Sequence, residues 1–196
     1  MTPFYATARV LVTTAFRILW RFRVRGVENV PSDGGVIIAA NHISYFDPPV
    51  LGCAAPRQLI FMAKSELFEI PLFGRLISAL GAYPIERGKG DVAAIRRSVA
   101  LLREGRAIAM FPEGTRNFGG KSGVQAGVVL LASLTGVPIV PAYISGTEAV
   151  GRLRPITVTF GEPYRIERTE KASRDELAKM AEEVMERIRT LKEPIA

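Results

Sequence analysis

The sequence contains one cysteine, Cys53, and one histidine, His42, among its 196 residues. One cysteine cannot form an internal disulfide framework, and one cysteine with one histidine cannot supply the ligands of an ordinary zinc site. Because Cys53 lies in the apolar stretch 50–55, we predict that it is a small buried hydrophobic side chain. The sequence therefore fits a reducing interior, and we expect neither a metal nor a cofactor.

No segment reaches the roughly 18 consecutive apolar residues that a membrane-spanning helix needs. The first residues do not resemble a signal peptide, since no basic stretch precedes their apolar part and Arg9 and Arg17 interrupt it. Apolar residues recur there at helical spacing: Phe4, Ala8, Leu11, Ala15, Ile18 and Phe22. Trp20 and arginines at 17, 21, 23 and 25 accompany them. The pattern predicts a membrane-interface helix over residues 1–22; the alternative is a helix packed on its own domain.

Acidic residues are too few to balance the basic ones: 26 Lys and Arg against 19 Asp and Glu give a net charge of +7. Such a chain suits an anionic partner, which could be a membrane surface, a nucleic acid or a phosphorylated substrate. A non-catalytic binding module is one alternative. The basic residues are scattered and have few aromatic residues between them, so we expect no nucleic-acid partner.

Short apolar runs alternate with helical patterns from residue 23 to the end, and neither a repeat nor a linker divides them. Strands are predicted at Phe22–Val27, Val36–Ala40, Gln58–Met62, Tyr83–Ile85, Ala107–Phe111, Ile139–Ile144 and Ile156–Phe160. Helices are predicted at Pro48–Ala54, Pro71–Leu80, Asp91–Arg103 and Gly123–Leu134. A last helix begins at a capping box of Ser173 and Glu176, and its apolar stripe is Leu177, Met180, Ala181, Val184, Ile188 and Leu191.

This alternation predicts an α/β domain over residues 23–196, with a mixed, largely parallel sheet flanked by helices. Ligands in such folds bind at loops that leave the carboxyl ends of the strands. A functional site is therefore expected among the loops after Ala40, Ile85, Phe111 and Ile144.

His42 follows the first of these strands, and Asp47 lies five residues further on. Five residues turn a helix by about 140° beyond a full turn, so only a loop can bring the two together. Asp47 and Pro48 are suited to the N-cap and first position of a helix. The carboxylate could then hold one ring nitrogen of His42, leaving the other to take a proton from a substrate hydroxyl. Taken alone, such a pair is more often structural than catalytic.

Two further loops carry polar residues that suit a phosphate and a hydroxyl. The strand that ends at Phe111 is followed by Glu113, Gly114, Thr115 and Arg116, and Arg87 follows the strand that ends at Ile85. A carboxylate, a flexible backbone and a guanidinium can together grip a phosphorylated alcohol.

In chain order, these loops resemble the four motifs of the glycerolipid acyltransferase superfamily, and within it the 1-acyl-glycerol-3-phosphate acyltransferases. Asn41-His42 through Asp47-Pro48 is similar to the first motif, an H-x-x-x-x-D pattern. The segments similar to the second, third and fourth motifs are Gly81–Arg87, Phe111–Arg116 and Val137–Pro141. Four motifs in order over most of the chain are a far more specific signal than any one of them.

The resemblance implies that His42 is the catalytic general base and Asp47 its orienting partner. It also implies that Arg87 and Arg116 bind the acceptor phosphate, with help from Lys64, and that Glu113, Gly114 and Thr115 shape the acceptor site. One departure concerns a lysine that the family often has after its third motif. Here that stretch is Val124-Gln125-Ala126-Gly127, so Gln125 stands where the family has the lysine. Lys121 lies four residues before Gln125.

The reaction implied is transfer of an acyl group from acyl-CoA or acyl carrier protein to a lysophospholipid, giving phosphatidic acid when the acceptor is 1-acyl-glycerol-3-phosphate. Another lysophospholipid, or glycerol phosphate, is an alternative acceptor. The sequence has no G-x-S-x-G elbow, and Ser44 lacks flanking glycines, so a serine hydrolase is disfavoured and direct attack by the acceptor is expected. We expect the protein on the cytoplasmic face of an anionic membrane.

A phosphate-loop nucleotide-binding protein is the alternative from another class. Gly114 precedes Gly120-Lys121-Ser122 between a strand and a predicted helix. The phosphate-loop motif requires four residues between the first glycine and the Gly-Lys pair, whereas this sequence has five. The extra residue would disrupt the nest of backbone N–H groups around the phosphates.

Overall fold

The computed structural model describes residues 1–85, 91–114, 126–166 and 173–192. Its helices are α1 (Pro3–Trp20), α2 (Asp47–Ala54), α3 (Glu66–Glu69), α4 (Phe73–Ala79), α5 (Val92–Arg103), α6 (Gly127–Thr135) and α7 (Arg174–Thr190). Its strands are β1 (Arg23–Arg25), β2 (Val36–Ala40), β3 (Leu59–Lys64), β4 (Tyr83–Ile85), β5 (Ala107–Met110), β6 (Ile139–Ser145) and β7 (Thr157–Phe160). Short 3₁₀ helices lie at Val27–Asn29 and Thr147–Arg152.

The seven strands form one sheet in the order β1-β7-β6-β2-β5-β3-β4. All neighbouring strands are parallel except β6 and β7. The predicted α/β domain with a mixed, largely parallel sheet is therefore confirmed. Because β6, β2, β5, β3 and β4 run in one direction, the loops that leave their carboxyl ends share one edge of the sheet.

Strand β2 lies in the middle of the sheet, and all five of its residues are buried. Its alternate side chains enter two apolar clusters on opposite faces of the sheet. Helices α1 and α2 cover one face, whereas α5, α6 and α7 cover the other. A strand that is buried on both faces has a continuous apolar sequence, which is why VIIAA can be recognised as a central strand.

The helix predicted at Pro71–Leu80 is confirmed as α4, which is shorter than predicted by two residues at its start and one at its end. It begins only at Phe73 because Leu72 has a positive φ of 64°, which is not helical. The preceding one-turn helix α3 was not predicted, and the extended Ile70 before Pro71 separates it from α4. The helix predicted to begin at Gly123 is described only from Gly127, since residues 115–125 lie outside the described part of the chain.

The predicted capping box at the start of α7 is confirmed, because the side chains of Ser173 and Glu176 each accept the backbone N–H of the other residue. Ala181, Val184 and Ile188 from its predicted stripe are buried against the sheet. Cys53 is buried, as its apolar context predicted.

Helix α1 packs on α2 through one polar and aromatic face. The Tyr5 hydroxyl donates to the carbonyl of Gly52, and Arg9 Nε donates to the carbonyl of Cys53, each at 3.3 Å. These carbonyls belong to the last turn of α2, where the helix supplies no N–H partner. The opposite face of α1 points outward. It includes Leu11, which is 66% exposed, and Ile18, which is 73% exposed.

The predicted stripe of α1 is thus largely the exposed face, with one correction. Phe22 lies beyond the end of the helix and is buried in the core beside Phe16, with ring centroids 5.9 Å apart. Among the described residues, no helix has the length and apolar content needed to cross a bilayer. The assignment of residues 1–22 to a membrane interface stays a prediction.

Candidate active site

His42 and Asp47 are brought together by the loop between β2 and α2. Nδ1 of His42 lies 2.9 Å from Oδ2 of Asp47. The same carboxylate oxygen accepts the backbone N–H groups of Ile43 and Ser44, each at 2.7 Å. Asp47 therefore closes the loop and holds the imidazole with one oxygen. It is fully buried, whereas the His42 side chain keeps 14% of its surface exposed.

The structure corrects the predicted role of Asp47 as an N-cap. Asp47 is the first residue of α2, and Phe46 occupies the cap position without a side-chain hydrogen bond. The carboxylate points back to the loop that precedes the helix, not forward to the first helical N–H groups. Consequently it is available to the imidazole.

A second loop reaches the other carboxylate oxygen of Asp47. The hydroxyl of Thr147, at the start of the 3₁₀ helix after β6, donates to Oδ1 over 2.6 Å. The sequence predicted that the loop after Ile144 contributes to the functional site, but it did not identify Thr147. The two residues are 100 positions apart, and only the adjacency of β2 and β6 brings them together.

Asn41 fixes the spacing between these two loops. Its side chain donates from Nδ2 to the carbonyl of Ile144 at 2.9 Å and accepts the N–H of Ile144 at 2.7 Å. This pair of bonds lies next to the last paired residues of β2 and β6, Ala40 and Ala142. The buried amide thus extends the ladder by one step after the strands end.

Phe111, the first residue after β5, stacks on the imidazole. The ring centroids of His42 and Phe111 are 4.3 Å apart, and the planes differ by 21°. One face of the imidazole is therefore covered, and Nδ1 is engaged by Asp47. Among the residues that the structure describes, Nε2 has no hydrogen-bond partner and is the ring nitrogen open to a substrate.

The side chain of Glu113 holds the backbone of His42. Its carboxyl group accepts the backbone N–H of His42. Burial raises the pKa of Glu113 above the ordinary value of 4.5, although the hydrogen bond from His42 acts in the opposite direction. Within the described part of the chain, Oε2 has no hydrogen-bond partner. The site therefore contains a buried carboxyl with one unengaged oxygen beside the dyad.

Of the remaining predicted site residues, two lie in the part of the chain that the structure describes and three lie outside it. Lys64 is exposed at the end of β3, where its backbone pairs with Ile85 at the end of β4. Gly114 has a φ of 66° and donates its N–H to the carbonyl of Phe111 at 2.9 Å, which closes the turn after β5. Arg87, Thr115 and Arg116 lie outside the described residues, as does the rest of the phosphate-loop-like segment after Gly114. Their roles stay predictions.

Comparison with known proteins gives a consistent result. The family model described as Acyltransferase matches residues 21–145. The 1-acyl-sn-glycerol-3-phosphate acyltransferase of Bacillus subtilis is 31% identical over 174 residues, which cover 86% of this chain and 87% of that protein. The lyso-ornithine lipid O-acyltransferase of Pseudomonas aeruginosa is 39% identical over 126 residues, which cover 63% of this chain and 48% of that protein.

A solved structure is similar over the whole chain. It is the 1-acyl-sn-glycerophosphate (LPA) acyltransferase PlsC from Thermotoga maritima, with a TM-score of 0.68 and 29% sequence identity. The similarity covers 100% of this chain and 86% of that one.

The buried carboxyl of Glu113 leads to a prediction about stability. The unfolded chain releases this proton at a lower pH than the folded protein does, because the folded pKa is raised. The free energy of unfolding should therefore fall as the pH rises above 4.5. In Glu113→Gln this contribution is absent, so the variant should gain stability relative to the wild type over that interval. Urea unfolding at a series of pH values measures the difference.

Glu176→Gln provides a control of opposite sign. Hydrogen bonds from Ser173 lower the pKa of Glu176, so its stabilising contribution is present at higher pH and is lost as the pH falls. The two variants should diverge from the wild type in opposite directions. Parallel curves for Glu113→Gln and the wild type would contradict the raised pKa.

Proposed function

Because the chain belongs to the Acyltransferase family, we propose that it transfers an acyl group from an acyl thioester to the sn-2 hydroxyl of 1-acyl-glycerol-3-phosphate, giving phosphatidic acid. The predicted resemblance to this family is confirmed, and the protein is an O-acyltransferase. The observation that carries the proposal is the His42–Asp47 dyad, which lies within the matched segment and leaves Nε2 without a hydrogen-bond partner among the described residues.

The reaction needs one base and no acyl-enzyme intermediate. Nε2 of His42 takes the proton of the acceptor hydroxyl while the hydroxyl oxygen attacks the thioester carbonyl carbon. The new C–O bond forms, the C–S bond breaks, and the proton passes from His42 to the departing thiolate. Asp47 keeps the Nδ1 proton in place and stabilises the positive charge on the ring. General base catalysis of this kind contributes on the order of 10²–10⁴ in rate.

The candidate nucleophiles near the dyad support direct attack. The Ser44 hydroxyl accepts the backbone N–H of Phe46 at 3.2 Å, which engages it in the loop. Cys53 lies in the last turn of α2, away from the dyad, and burial raises the pKa of its thiol. Neither side chain is presented to a substrate as an acyl-enzyme mechanism would require.

We assign the acceptor phosphate to three basic residues that lie at or after the ends of neighbouring strands in the sequence. Lys64 ends β3, Arg87 follows β4, and Arg116 follows β5. These strands are neighbours and parallel, so their carboxyl ends meet. Since β5 also pairs with β2, the loop that carries His42 leaves the same edge of the sheet.

A second candidate acceptor has specific support. The 39% identity to a lyso-ornithine lipid O-acyltransferase exceeds the 31% identity to the Bacillus relative, although it covers less of the chain. Another lysolipid is therefore the alternative acceptor. A panel of lysolipids assayed with acyl-CoA and with acyl carrier protein as donors would decide both the acceptor and the donor.

The protein is further proposed to dock on the cytoplasmic face of an anionic membrane, where a lysolipid acceptor resides. The outward face of α1 is apolar and ends at the exposed Arg17 and Arg21. A turn beside it carries Leu153, which is 51% exposed, between the exposed Arg152 and Arg154. The indole of Trp20 fixes this turn to the end of α1 by donating to the carbonyl of Val150 at 2.7 Å.

The segment between α3 and α4 offers a second apolar contact. Leu72 is 77% exposed, and Ile70 and Phe73 are also exposed. Basic residues close to an anionic surface contribute about 1 kcal/mol each, and buried apolar area adds to that.

The first prediction from the proposed function concerns the base. His42→Ala should lower kcat by a factor on the order of 10²–10⁴ because it removes the proposed general base. Asp47→Asn should also lower kcat strongly, since an amide cannot accept all four hydrogen bonds and changes the tautomer of His42. Steady-state kinetics with 1-acyl-glycerol-3-phosphate measure both, and thermal unfolding checks that the variants are folded. Near-wild-type turnover in His42→Ala would refute the mechanism.

The second prediction concerns the acceptor phosphate. Arg116→Ala should raise the acceptor KM by about 10- to 100-fold, the size expected for a lost hydrogen bond to a charged group. The donor KM should change much less. Arg116→Lys should restore little, because an ammonium group cannot reproduce the planar fork of a guanidinium. A change confined to the donor KM would instead assign Arg116 to the thioester substrate.

The third prediction concerns the membrane. Deleting residues 1–20 would remove the buried Tyr5 and Phe16, so substitutions on the outward face are the cleaner test. The double variant Leu11→Ser/Ile18→Ser should bind anionic vesicles less than the wild type in a flotation assay. It should also lose activity on bilayer-embedded acceptor while keeping activity on a short-chain, water-soluble one.

Leu134→Ser provides a matched control, since Leu134 is exposed on α6 at the opposite face of the sheet. Added salt should weaken binding of the wild type, because part of the attraction is electrostatic. Wild-type protein that stays at the bottom of the gradient while the vesicles float would refute surface docking.

A further inference from the structure

We infer that Thr147 is a positioning residue for acyl transfer, which acts through Asp47 to keep the imidazole of His42 in the productive tautomer. The inference rests on the proposed function for the identity of the reaction. The observation behind it is a hydrogen bond of 2.6 Å between the Thr147 hydroxyl and Oδ1 of Asp47.

The two oxygens of the Asp47 carboxylate have different partners. Oδ2 accepts from Nδ1 of His42 and from the backbone N–H groups of Ile43 and Ser44. Oδ1 accepts from Thr147, and the described residues offer it no other donor. Both Asp47 and Thr147 are buried, so solvent cannot replace a lost partner. Without the hydroxyl, a buried carboxylate oxygen would be left unsatisfied.

An unsatisfied oxygen has a direct consequence for His42. A buried carboxylate can regain a partner by rotating about its Cβ–Cγ bond, and any rotation moves Oδ2 away from Nδ1 as well. The imidazole then loses the acceptor that keeps its proton on Nδ1, and the tautomer with the proton on Nε2 gains population. That tautomer cannot accept a proton from the acceptor hydroxyl.

The backbone around Thr147 is built to hold the hydroxyl in place. Gly146, immediately before it, has a φ of 87°, and a Cβ at this position would collide with the carbonyl oxygen of Pro155. Asn41 ties the end of β6 to β2 on one side of Thr147, and the Trp20 indole holds Val150 on the other. The loop after β6 is thus fixed at both ends, to the residue that follows β2 and to the end of α1.

The test uses variants that distinguish the effect of the Thr147 hydroxyl group from the effect of the side chain's shape. Thr147→Val replaces the hydroxyl with a methyl group, whereas Thr147→Ser keeps the hydroxyl. Thr147→Val should lower kcat by about 10- to 100-fold, the size of a lost hydrogen bond to a charged group, with little change in the acceptor KM. Thr147→Ser should retain most of the activity. Thr147→Ser and Thr147→Ala form a second pair if Thr147→Val does not fold.

Thr135→Val is the matched control. The Thr135 hydroxyl also makes a 2.6 Å hydrogen bond, to the carbonyl of Leu131, but it lies at the end of α6, before β6 begins and therefore away from the dyad. This variant should keep the kcat of the wild type. An equal loss of kcat in Thr135→Val would show that the effect of Thr147→Val is a general loss of stability.

Because His42 is the only histidine, its tautomer can be read directly by NMR of protein labelled with ¹⁵N-histidine. In the wild type and in Thr147→Ser, the neutral ring should carry its proton on Nδ1. In Thr147→Val the population with the proton on Nε2 should increase. This measurement needs no substrate, so it separates the two proposals: a tautomer shift without any acyl transfer by the wild type would refute the proposed function alone.

A double-mutant cycle tests whether Thr147 acts through Asp47. In an Asp47→Asn background, Thr147→Val should cause little further loss of kcat, since the group through which it acts has already been removed. The inference is overturned if the two losses are additive, or if Thr147→Val keeps both the kcat and the tautomer of the wild type.

Discussion

The buried carboxylate of Asp47 is the constraint on which the site depends. Moving an ionised carboxylate out of water costs several kcal/mol even after relaxation of the protein. Four hydrogen bonds offset this cost here, two from backbone N–H groups and one each from His42 and Thr147. Hydrogen bonds to a charged group contribute about 1.5–3 kcal/mol each, so four are of the size required. The loop, the imidazole and the hydroxyl are consequently fixed by one group.

The position of β2 explains why these partners converge. With β6 on one side and β5 on the other, the loop that carries His42 has a neighbouring loop on each side. From β6 come the hydroxyl of Thr147 and the backbone that Asn41 binds. From β5 come the ring of Phe111 and the carboxyl of Glu113. A central strand in a parallel sheet is therefore the place where one histidine can be held by its ring nitrogen, its ring face and its backbone.

The sequence allowed the fold class, the seven strands and the edge that carries the site to be predicted, because these follow from apolar runs and from chain direction. Local signals such as the capping box of α7 were also readable. The helix predicted at Pro71–Leu80 is present as the shorter α4, because the positive φ of Leu72 delays its start to Phe73. Thr147 could not be predicted, since nothing local marks a threonine whose partner is 100 residues away. The stacking of Phe111 likewise depends on strand order.

Helix α1 shows how one periodic pattern can serve two surfaces. The periodicity left open whether its apolar face packs on the domain or points outward, and the structure shows two separate faces. Tyr5 and Arg9 bind carbonyls in the last turn of α2, while Asp47 is the first residue of that helix. Eight residues of helix span about 12 Å, so the face proposed to meet the membrane is joined to the dyad by one short rigid element. A lysolipid with its chain in the bilayer could then present its hydroxyl to His42 without leaving the membrane. The first residue of α2 holds the imidazole and its last turn binds α1, so both are fixed to the same helix.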